Sequence, residues 1–202
     1  MKRVLISQRV DVITSYQERR DALDQRWAEF LWEAGCIGMP VFNHEPMLAK
    51  MLESMQPDGI LLSGGNTPEA YGGSAPERDT IDEFLISYAI KKNVPLLGVC
   101  RGTQSIALYF GGTLRKIEGH VAIRHNLDIK RNVNSYHNFA PDVIPEDLLV
   151  LAISADGEVE YIKHRELPIA GIMWHPEREA PFAMEDIELV RGLFAAGVQG
   201  ES

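Results

Sequence analysis

Residues 94–110 read VPLLGVCRGTQSIALYF and combine a strand, a sharp turn and a helix. The apolar start is typical of a parallel strand buried on both faces, and a helical pattern follows it directly. Gly98, Cys100 and Gly102 form a Gly-x-Cys-x-Gly turn between the two, where larger flanking side chains would collide. The pattern predicts a cysteine version of the nucleophile elbow, with Cys100 projecting from the sheet edge.

Strand and helix patterns alternate along the rest of the chain. This alternation predicts an α/β protein with a mostly parallel central sheet, helices on both faces and a small antiparallel extension. The predicted strands are residues 4–7, 39–42, 59–63, 94–99, 127–131, 149–154, 159–164 and 169–174. The predicted helices are residues 18–34, 46–55, 77–92, 102–110 and 184–196. No repeat or long linker interrupts them, so we expect one domain over residues 1–202.

Composition limits the classes of protein. The 202 residues are 45% hydrophobic and 24% charged, with a net charge of −9, whereas nucleic-acid binders usually present a basic stripe. No apolar run reaches the roughly 18–20 residues that span a bilayer. Cys36 and Cys100 are too few for a disulfide framework, so we expect a cytoplasmic protein with reduced thiols and no membrane or nucleic-acid partner. His120 and His125 stand alone on a predicted loop, and we expect no metal or other cofactor.

A second strand-end motif supplies a base for the cysteine. Residues 171–177 read GIMWHPE, an apolar strand that ends in His-Pro-Glu. A nucleophilic cysteine needs a base that takes its proton and returns it to the leaving group, and a third group that orients the imidazole. His175 and Glu177 fit these two roles, and the proline between them stiffens their spacing.

A third predicted strand ends in a glycine turn. Residues 60–66 read ILLSGGN, and a glycine turn at a strand end exposes backbone N–H groups that can face a developing oxyanion. The natural partner donor is the N–H of Arg101, which directly follows the nucleophile.

In this order and spacing, the motifs SGGN, GVCRGTQ and WHPE resemble the class I glutamine amidotransferase-like superfamily. The resemblance extends from about residue 4 to residue 180. The segments PERD (76–79), VNSYH (133–137) and ADGEVE (155–160) are similar to the γ-glutamyl hydrolase branch of that superfamily. The resemblance implies a flavodoxin-like fold.

Family roles follow residue by residue from this resemblance. It implies that Cys100 is the nucleophile, His175 the base and Glu177 the orienting acid of a catalytic triad. The implied oxyanion donors are Gly65 and Arg101. The residues implied to hold the glutamyl end are Gln104, Ser135, Tyr136 and His137. At the position after the cysteine, many true amidotransferases carry an apolar residue. Arg101 departs from that pattern and makes the motif slightly more similar to that of the hydrolases.

Residues 6–9 (ISQR) and 16–27 (YQERRDALDQRW) suggest a narrower match. They look like the small γ-glutamyl-CDP-amidate hydrolases, which act in making the phosphoramidate decoration of bacterial surface polysaccharides. This resemblance implies hydrolysis of a small-molecule γ-glutamyl substrate, γ-glutamyl-CDP-amidate, to glutamate and cytidine diphosphoramidate. Arg9 at a strand end and Arg19 or Arg20 near the predicted helix start are candidates for holding a pyrophosphate.

Three other functions stay open at this point. The chain could be a glutaminase subunit that passes ammonia to a separate synthetase, or a hydrolase of a γ-glutamyl amine or a folate polyglutamate. A binding protein without activity is the third. The sequence also leaves a homodimer open.

Overall fold

A computed structural model describes residues 1–195. Its strands and helices, in chain order, are β1 (Lys2–Ile6), β2 (Arg9–Ile13), β3 (Glu18–Ala22), α1 (Arg26–Glu33), β4 (Cys36–Pro40), α2 (Glu45–Met55), β5 (Gly59–Leu62), α3 (Pro76–Lys92), β6 (Leu96–Val99), α4 (Arg101–Tyr109), β7 (Leu114–Lys116), β8 (Val121–Asn126), β9 (Asn132–Tyr136), β10 (Phe139–Pro141), β11 (Leu148–Ile153), β12 (Val159–His164), β13 (Ile169–Ile172) and α5 (Met184–Ala195). Short 3₁₀ helices cover Glu69–Tyr71 and Pro176–Arg178. The predicted final helix reaches residue 196, which lies outside the described residues.

The central sheet has seven strands in the order β11-β12-β13-β6-β5-β1-β4. The five strands from β13 to β4 are parallel, and β12 pairs antiparallel with both β11 and β13. The prediction of a mostly parallel α/β sheet with a small antiparallel extension is confirmed. Because β1, β5, β6 and β13 run in one direction, the segments that follow them meet along one edge of the sheet.

Each face of the sheet is covered by helices. Successive strand residues point to opposite faces, so Val4 and Ile6 join one apolar core and Leu5 joins the other. α1 and α5 pack in the first core, and α2, α3 and α4 pack in the second. No helix within residues 1–195 has the length and apolar character needed to cross a lipid bilayer.

The predicted helix over residues 18–34 is wrong in its first part. Residues 18–22 instead form β3, which pairs antiparallel with β2, and the helix covers only Arg26–Glu33. Apolar residues at helical spacing begin at Leu23, so the ERRDA segment before it has no helical face to bury. Its backbone bonds to β2 therefore outweigh the helix propensity of Glu and Arg. Arg19 and Arg20 consequently lie on a strand rather than near a helix start.

The predicted strand over residues 127–131 is also wrong. These residues connect β8 to β9, with Lys130 in the left-handed region at φ 58° and Leu127 in a single bridge to Ser154. The Leu-x-Ile pattern there marks one buried side chain, Leu127, because Ile129 is exposed. The hairpin β8–β9 and the pairs β2–β3 and β7–β10 were not predicted. β2, β3 and β8 carry at most one buried residue each, and the buried residues of β9 include Asn134 and Ser135, so these strands leave little apolar pattern in the sequence.

The turn between β6 and α4 has the geometry of an elbow. Cys100 adopts φ 52° and ψ −102°, a strained conformation for a residue with a side chain. A Cβ at Gly98 would lie 2.6 Å from the carbonyl oxygen of Gly102, so the two segments need glycine to approach this closely. The strand, turn and helix predicted from residues 94–110 therefore form as expected.

We expect Gly102→Ala to lower the free energy of unfolding by at least about 1–3 kcal/mol, the usual cost of forcing atoms into a packed site. The added Cβ would meet the Leu62 carbonyl oxygen at 2.2 Å. Gly192→Ala in α5 is the matched control, because no atom of residues 1–195 lies within 4 Å of its Cβ position. It should stabilise the protein by about 0.5–1 kcal/mol, as removing a helical glycine does. Urea unfolding measures both, and equal effects would contradict the packing described for the elbow.

Candidate active site

A cavity of about 330 Å³ opens where the segments after β5, β6, β9 and β13 meet. It contains Cys100 from the elbow and His175 from the end of β13. Its lining residues are Gly65, Asn66, Thr67, Cys100, Arg101, Gln104, Tyr136, His137, Asn138, Phe139, His175 and Arg178. Ligands of open parallel sheets bind at this edge, so the cavity is the candidate active site.

Cys100 lines the cavity, and its backbone is held by two hydrogen bonds. Its N–H donates to the carbonyl oxygen of Ile172 in β13 (2.7 Å), and its own carbonyl accepts from the N–H of Gln104 (3.2 Å). These two bonds fix the elbow between the sheet and α4. Cys100 directly precedes the first residue of α4, so it stands at the N-terminus of that helix.

His175 and Glu177 form a buried pair. His175 Nδ1 lies 2.7 Å from Glu177 Oε1, and both residues are at most 3% exposed. Burial lowers the pKa of His175, but the negative charge at Cys100 and the Glu177 carboxylate raise it more, to about 9. Cys100 and His175, which belong to separate sequence motifs, are thus close enough to interact.

The side chain of Asn134 makes two hydrogen bonds to the backbone of His175. Its Oδ1 accepts from the N–H of His175 (2.9 Å), and its Nδ2 donates to the His175 carbonyl oxygen (2.8 Å). Asn134 lies in β9 and is buried. Sequence reasoning singled out the segment 133–137 but gave Asn134 no role, because its partner is 41 residues away.

The two predicted oxyanion donors line the same cavity. Gly65 has φ +96°, which favours glycine, and Arg101 is the first residue of α4. Within residues 1–195, neither backbone N–H donates a hydrogen bond to another residue. Gly64 beside them packs on the imidazole, since a Cβ there would meet His175 Cε1 at 2.6 Å. Both N–H groups are therefore free to bind a ligand.

Three of the four predicted holders of the glutamyl end reach the cavity. Gln104, Tyr136 and His137 line it, and Gln104 Nε2 donates to the carbonyl oxygen of Phe139 (2.9 Å). The ring of Tyr136 stands edge-on to His175, with 5.7 Å between the centroids. Ser135 is fully buried behind the cavity wall, and its hydroxyl donates to the His120 carbonyl oxygen (2.8 Å).

The structure does not bring Arg19 and Arg20 to the cavity. Arg19 pairs with Glu77 and Arg20 with Glu18, and both arginines line a separate surface depression. Arg9 is closer, because its side chain lies against Gly65, where an added Cβ would meet Arg9 Cδ at 2.8 Å. Arg9 also pairs with Asp11 (3.0 Å).

Arg178 is the cation that sequence reasoning missed. It lines the cavity and also a small neighbouring recess that Arg9, His175 and Glu177 share. Its guanidinium lies 4.3 Å from the ring centroid of Tyr136. The one signal in the sequence was its position directly after Glu177.

The chain matches the family described as Glutamine amidotransferase class-I over residues 33–182. This match covers most of the sequence and includes the glycine turn, the cysteine elbow and the His-Pro-Glu motif. The chain belongs to this family. Its fold is that of the family's solved structures: a protein of the GMP synthase subunit type from Thermoplasma acidophilum superposes with a TM-score of 0.74 at 23% identity, covering 97% of this chain and 95% of the other.

This class-I amidotransferase chain is similar to both hydrolases and glutamine-hydrolysing subunits. It is 30% identical to the gamma-glutamyl-CDP-amidate hydrolase of Campylobacter jejuni, over 94% of this chain and 96% of the relative. It is 28% identical to the gamma-glutamyl-gamma-aminobutyrate hydrolase of Escherichia coli O157:H7, over 77% and 78%. It is 34% identical to the glutamine-hydrolyzing GMP synthase subunit of Methanococcoides burtonii, over 60% and 65%.

Replacing Cys100 by serine should lower the pKa of His175 well below about 9. The negative charge that raises this pKa most is then gone, and burial is opposed by Glu177 alone. A pH titration of the imidazole by NMR measures the change, with Cys36→Ser as the control that leaves the pKa unchanged. A His175 pKa that stays near 9 in Cys100→Ser would contradict the electrostatic influence of Cys100 on the imidazole.

The same pKa predicts how stability depends on pH. The His175 pKa in the folded state, about 9, lies above its ordinary value of 6.5. Its protonation therefore stabilises the fold fully below pH 6.5, and this contribution is lost as the pH rises through about 9. Urea unfolding at both ends of this pH range measures the free energy of unfolding. This free energy should fall less with rising pH in Cys100→Ser than in the wild-type chain.

Proposed function

We propose that the chain is a cysteine-dependent hydrolase that cleaves a γ-glutamyl amide bond through a γ-glutamyl thioester. The proposed substrate is γ-glutamyl-CDP-amidate, which yields glutamate and cytidine diphosphoramidate for surface-polysaccharide phosphoramidate synthesis. The observation that carries the proposal is the convergence of Cys100, His175 and Glu177 beside one cavity. Family membership and two γ-glutamyl hydrolase relatives support the reaction class.

The first half of the reaction forms the thioester. The Cys100 thiolate attacks the γ-carbonyl carbon, and the carbonyl oxygen becomes an oxyanion that accepts from the N–H groups of Gly65 and Arg101. The His175 imidazolium gives its proton to the departing amide nitrogen, and the C–N bond breaks. Glu177 holds Nδ1 of the ring, so that the other nitrogen carries the mobile proton.

The second half hydrolyses the thioester. Neutral His175 takes a proton from a water molecule, and the resulting hydroxide attacks the thioester carbonyl at the same oxyanion site. The C–S bond breaks, glutamate leaves and the thiolate returns beside the imidazolium. Water is the only molecule besides the substrate that enters the reaction, so the cycle needs no cofactor.

The diphosphate end needs local positive charge. A chain of net charge −9 repels such an anion at a distance, and only nearby cations reverse this field. Arg9 and Arg178 share the recess beside His175, and Arg178 also borders the main cavity. We assign these two arginines, rather than Arg19 or Arg20, to the phosphates.

Two alternatives each have support among the relatives. Similarity to the GMP synthase subunit of Methanococcoides burtonii favours a glutaminase subunit, whereas similarity to the aminobutyrate hydrolase favours another γ-glutamyl amine. The experiment is a comparison of kcat/KM for the isolated chain on γ-glutamyl-CDP-amidate, γ-glutamyl-γ-aminobutyrate and glutamine. We expect the first to be the best substrate by at least tenfold. Weak activity on glutamine and none on the others would favour the glutaminase role instead.

Cys100→Ala should abolish hydrolysis while the chain stays folded, because no other side chain of the cavity can form the thioester. Loss of a nucleophile removes many powers of ten of rate. Cys36→Ala is the matched control: burial raises the pKa of the Cys36 thiol, and this residue packs in the core beside α1. Its activity should stay near that of the wild type. Steady-state kinetics with circular dichroism measures both, and near-normal turnover by folded Cys100→Ala would contradict the mechanism.

Arg178→Gln should lower kcat/KM for γ-glutamyl-CDP-amidate about 10- to 100-fold, since an ionic hydrogen bond to phosphate contributes roughly 1.5–3 kcal/mol and ~1.4 kcal/mol is a factor of ten. Arg9→Gln should act in the same direction. The loss should be small on a neutral γ-glutamyl anilide, which has no phosphate.

Arg19→Gln is the control for these two variants, because Arg19 is paired with Glu77 outside the cavity. It should leave both substrates unaffected. Equal losses on the nucleotide and the anilide would assign Arg178 and Arg9 to the glutamyl end or to the fold. A selective loss in Arg19→Gln would place the phosphates in the other depression.

A further inference from the structure

Three histidines surround one buried carboxylate behind the wall of the cavity. Glu160 of β12 is fully buried, and its Oε1 lies 3.3 Å from His125 Nε2, 3.3 Å from His137 Nε2 and 3.6 Å from His120 Nδ1. The candidate donor atoms of His120, His137 and Glu160 all lie within 4.8 Å of one another. The proposed hydrolysis assigns no step to this cluster, although His137 also lines the cavity.

Hydrogen bonds do not satisfy the facing atoms of this cluster. Within the described chain, His120 Nδ1, His137 Nε2, both ring nitrogens of His125 and both oxygens of Glu160 are buried without a hydrogen-bond partner. Buried polar atoms in such number are costly, and the cost is greatest for a carboxylate. The protein therefore needs either shared protons or a cation at this point.

The two distances from Glu160 Oε1 to the imidazoles of His137 and His120 match the edge of a metal coordination shell better than the length of a hydrogen bond. N–H···O bonds are usually 2.7–3.2 Å long. Two ligand atoms that are each about 2.0–2.1 Å from a tetrahedral zinc ion are roughly 3.3–3.4 Å apart. The separations of 3.3 and 3.6 Å from Glu160 Oε1 to His137 and His120 are close to that edge.

The outer ring nitrogens have the partners that metal-binding histidines usually have. His120 Nε2 lies 2.8 Å from Asp156 Oδ2, and His137 Nδ1 lies 3.1 Å from the carbonyl oxygen of Phe139. A carboxylate or carbonyl at this position fixes the tautomer, so that the inner nitrogen presents its lone pair to a metal. The inner nitrogens of both rings are the ones that face Glu160.

We infer that His120, His137 and Glu160 bind one divalent transition-metal ion, with His125 beside the remaining coordination position. Two imidazoles and a carboxylate form a nitrogen and oxygen set that suits zinc. The sequence-based expectation of no metal rested on His120 and His125, since His137 and Glu160 join them only through the fold.

The ion would tie the cavity wall to the central sheet. His120 precedes β8 and His137 follows β9, whereas Glu160 belongs to β12. One ion would thus fix both ends of the β8–β9 hairpin to the sheet, and with them Tyr136 and His137 in the cavity lining. This role is structural and involves no step of the hydrolysis, so the proposal does not depend on the proposed function.

The test is the metal content of the untagged chain after refolding with Zn²⁺ and removal of loosely bound metal by a weak chelator. Because Cys100 and His175 could also bind zinc, the measurement is made in Cys100→Ala as well. We expect about one zinc per chain in both proteins, measured by elemental mass spectrometry. No retained zinc in the wild-type chain, or zinc that disappears in Cys100→Ala, would overturn the proposal.

Variants locate the ion. Glu160→Gln and His120→Ala should lower zinc content at least tenfold, and Asp156→Asn should weaken zinc affinity about 10- to 100-fold, as loss of an outer partner does. His44→Asn, which changes an exposed histidine that caps α2, is the control and should keep its zinc. Unchanged zinc content in both Glu160→Gln and His120→Ala would place the metal elsewhere and refute the site.

A second readout does not depend on variants that could misfold. Zn²⁺ should raise the thermal unfolding midpoint of chelator-treated wild-type chain by several degrees, because it binds only the folded state. Cys100→Ala should show the same rise. An unchanged midpoint in both proteins would mean that a hydrogen-bonded histidine–glutamate cluster stands there without metal.

Discussion

The close crossing of β6 and α4 determines the position of the Cys100 sulfur. The strand and the helix approach so closely at Gly98 and Gly102 that a Cβ atom added at either glycine would overlap its neighbours. The chain between them turns at Cys100, which has a positive φ of 52°. The strain of this conformation is held by bonds from Cys100 to Ile172 and Gln104 on either side. The proposed chemistry therefore begins with a backbone constraint, and the side chains of the site are arranged around it.

A buried ionic network supports the same edge of the sheet. The guanidinium of Arg78 is fully buried and donates to the Ser63 carbonyl oxygen (2.6 Å) and to Ser7 Oγ (3.1 Å), at the ends of β5 and β1. Asp82 pairs with Arg78 and also with the side chain of Arg101. The side chain of Arg101 is thereby tied to α3, while Arg101 also lines the cavity. Removing Asp82 would leave the buried guanidinium of Arg78 without its carboxylate partner, which is strongly destabilising.

Local patterns predicted the elements that bury a continuous apolar face. The strands at residues 94–99 and 169–174 and the elbow between sheet and helix belong to this class, since each is specified by neighbouring residues. The β2–β3 and β8–β9 hairpins could not be predicted in this way, because β2, β3 and β8 are mostly exposed and the buried part of β9 is mostly polar. The placement of Arg19, the clamp from Asn134 and the histidines around Glu160 depend on those hairpins, so they followed only from the fold.

The central claim is that Cys100 becomes covalently acylated during turnover. The most direct measurement is acid quenching of the chain during hydrolysis of γ-glutamyl-CDP-amidate, followed by peptide mass mapping of both cysteines. The account predicts a γ-glutamyl thioester on the peptide that contains Cys100 and none on the peptide that contains Cys36. Turnover without an adduct on Cys100, in a quench that traps thioesters of comparable enzymes, would contradict it.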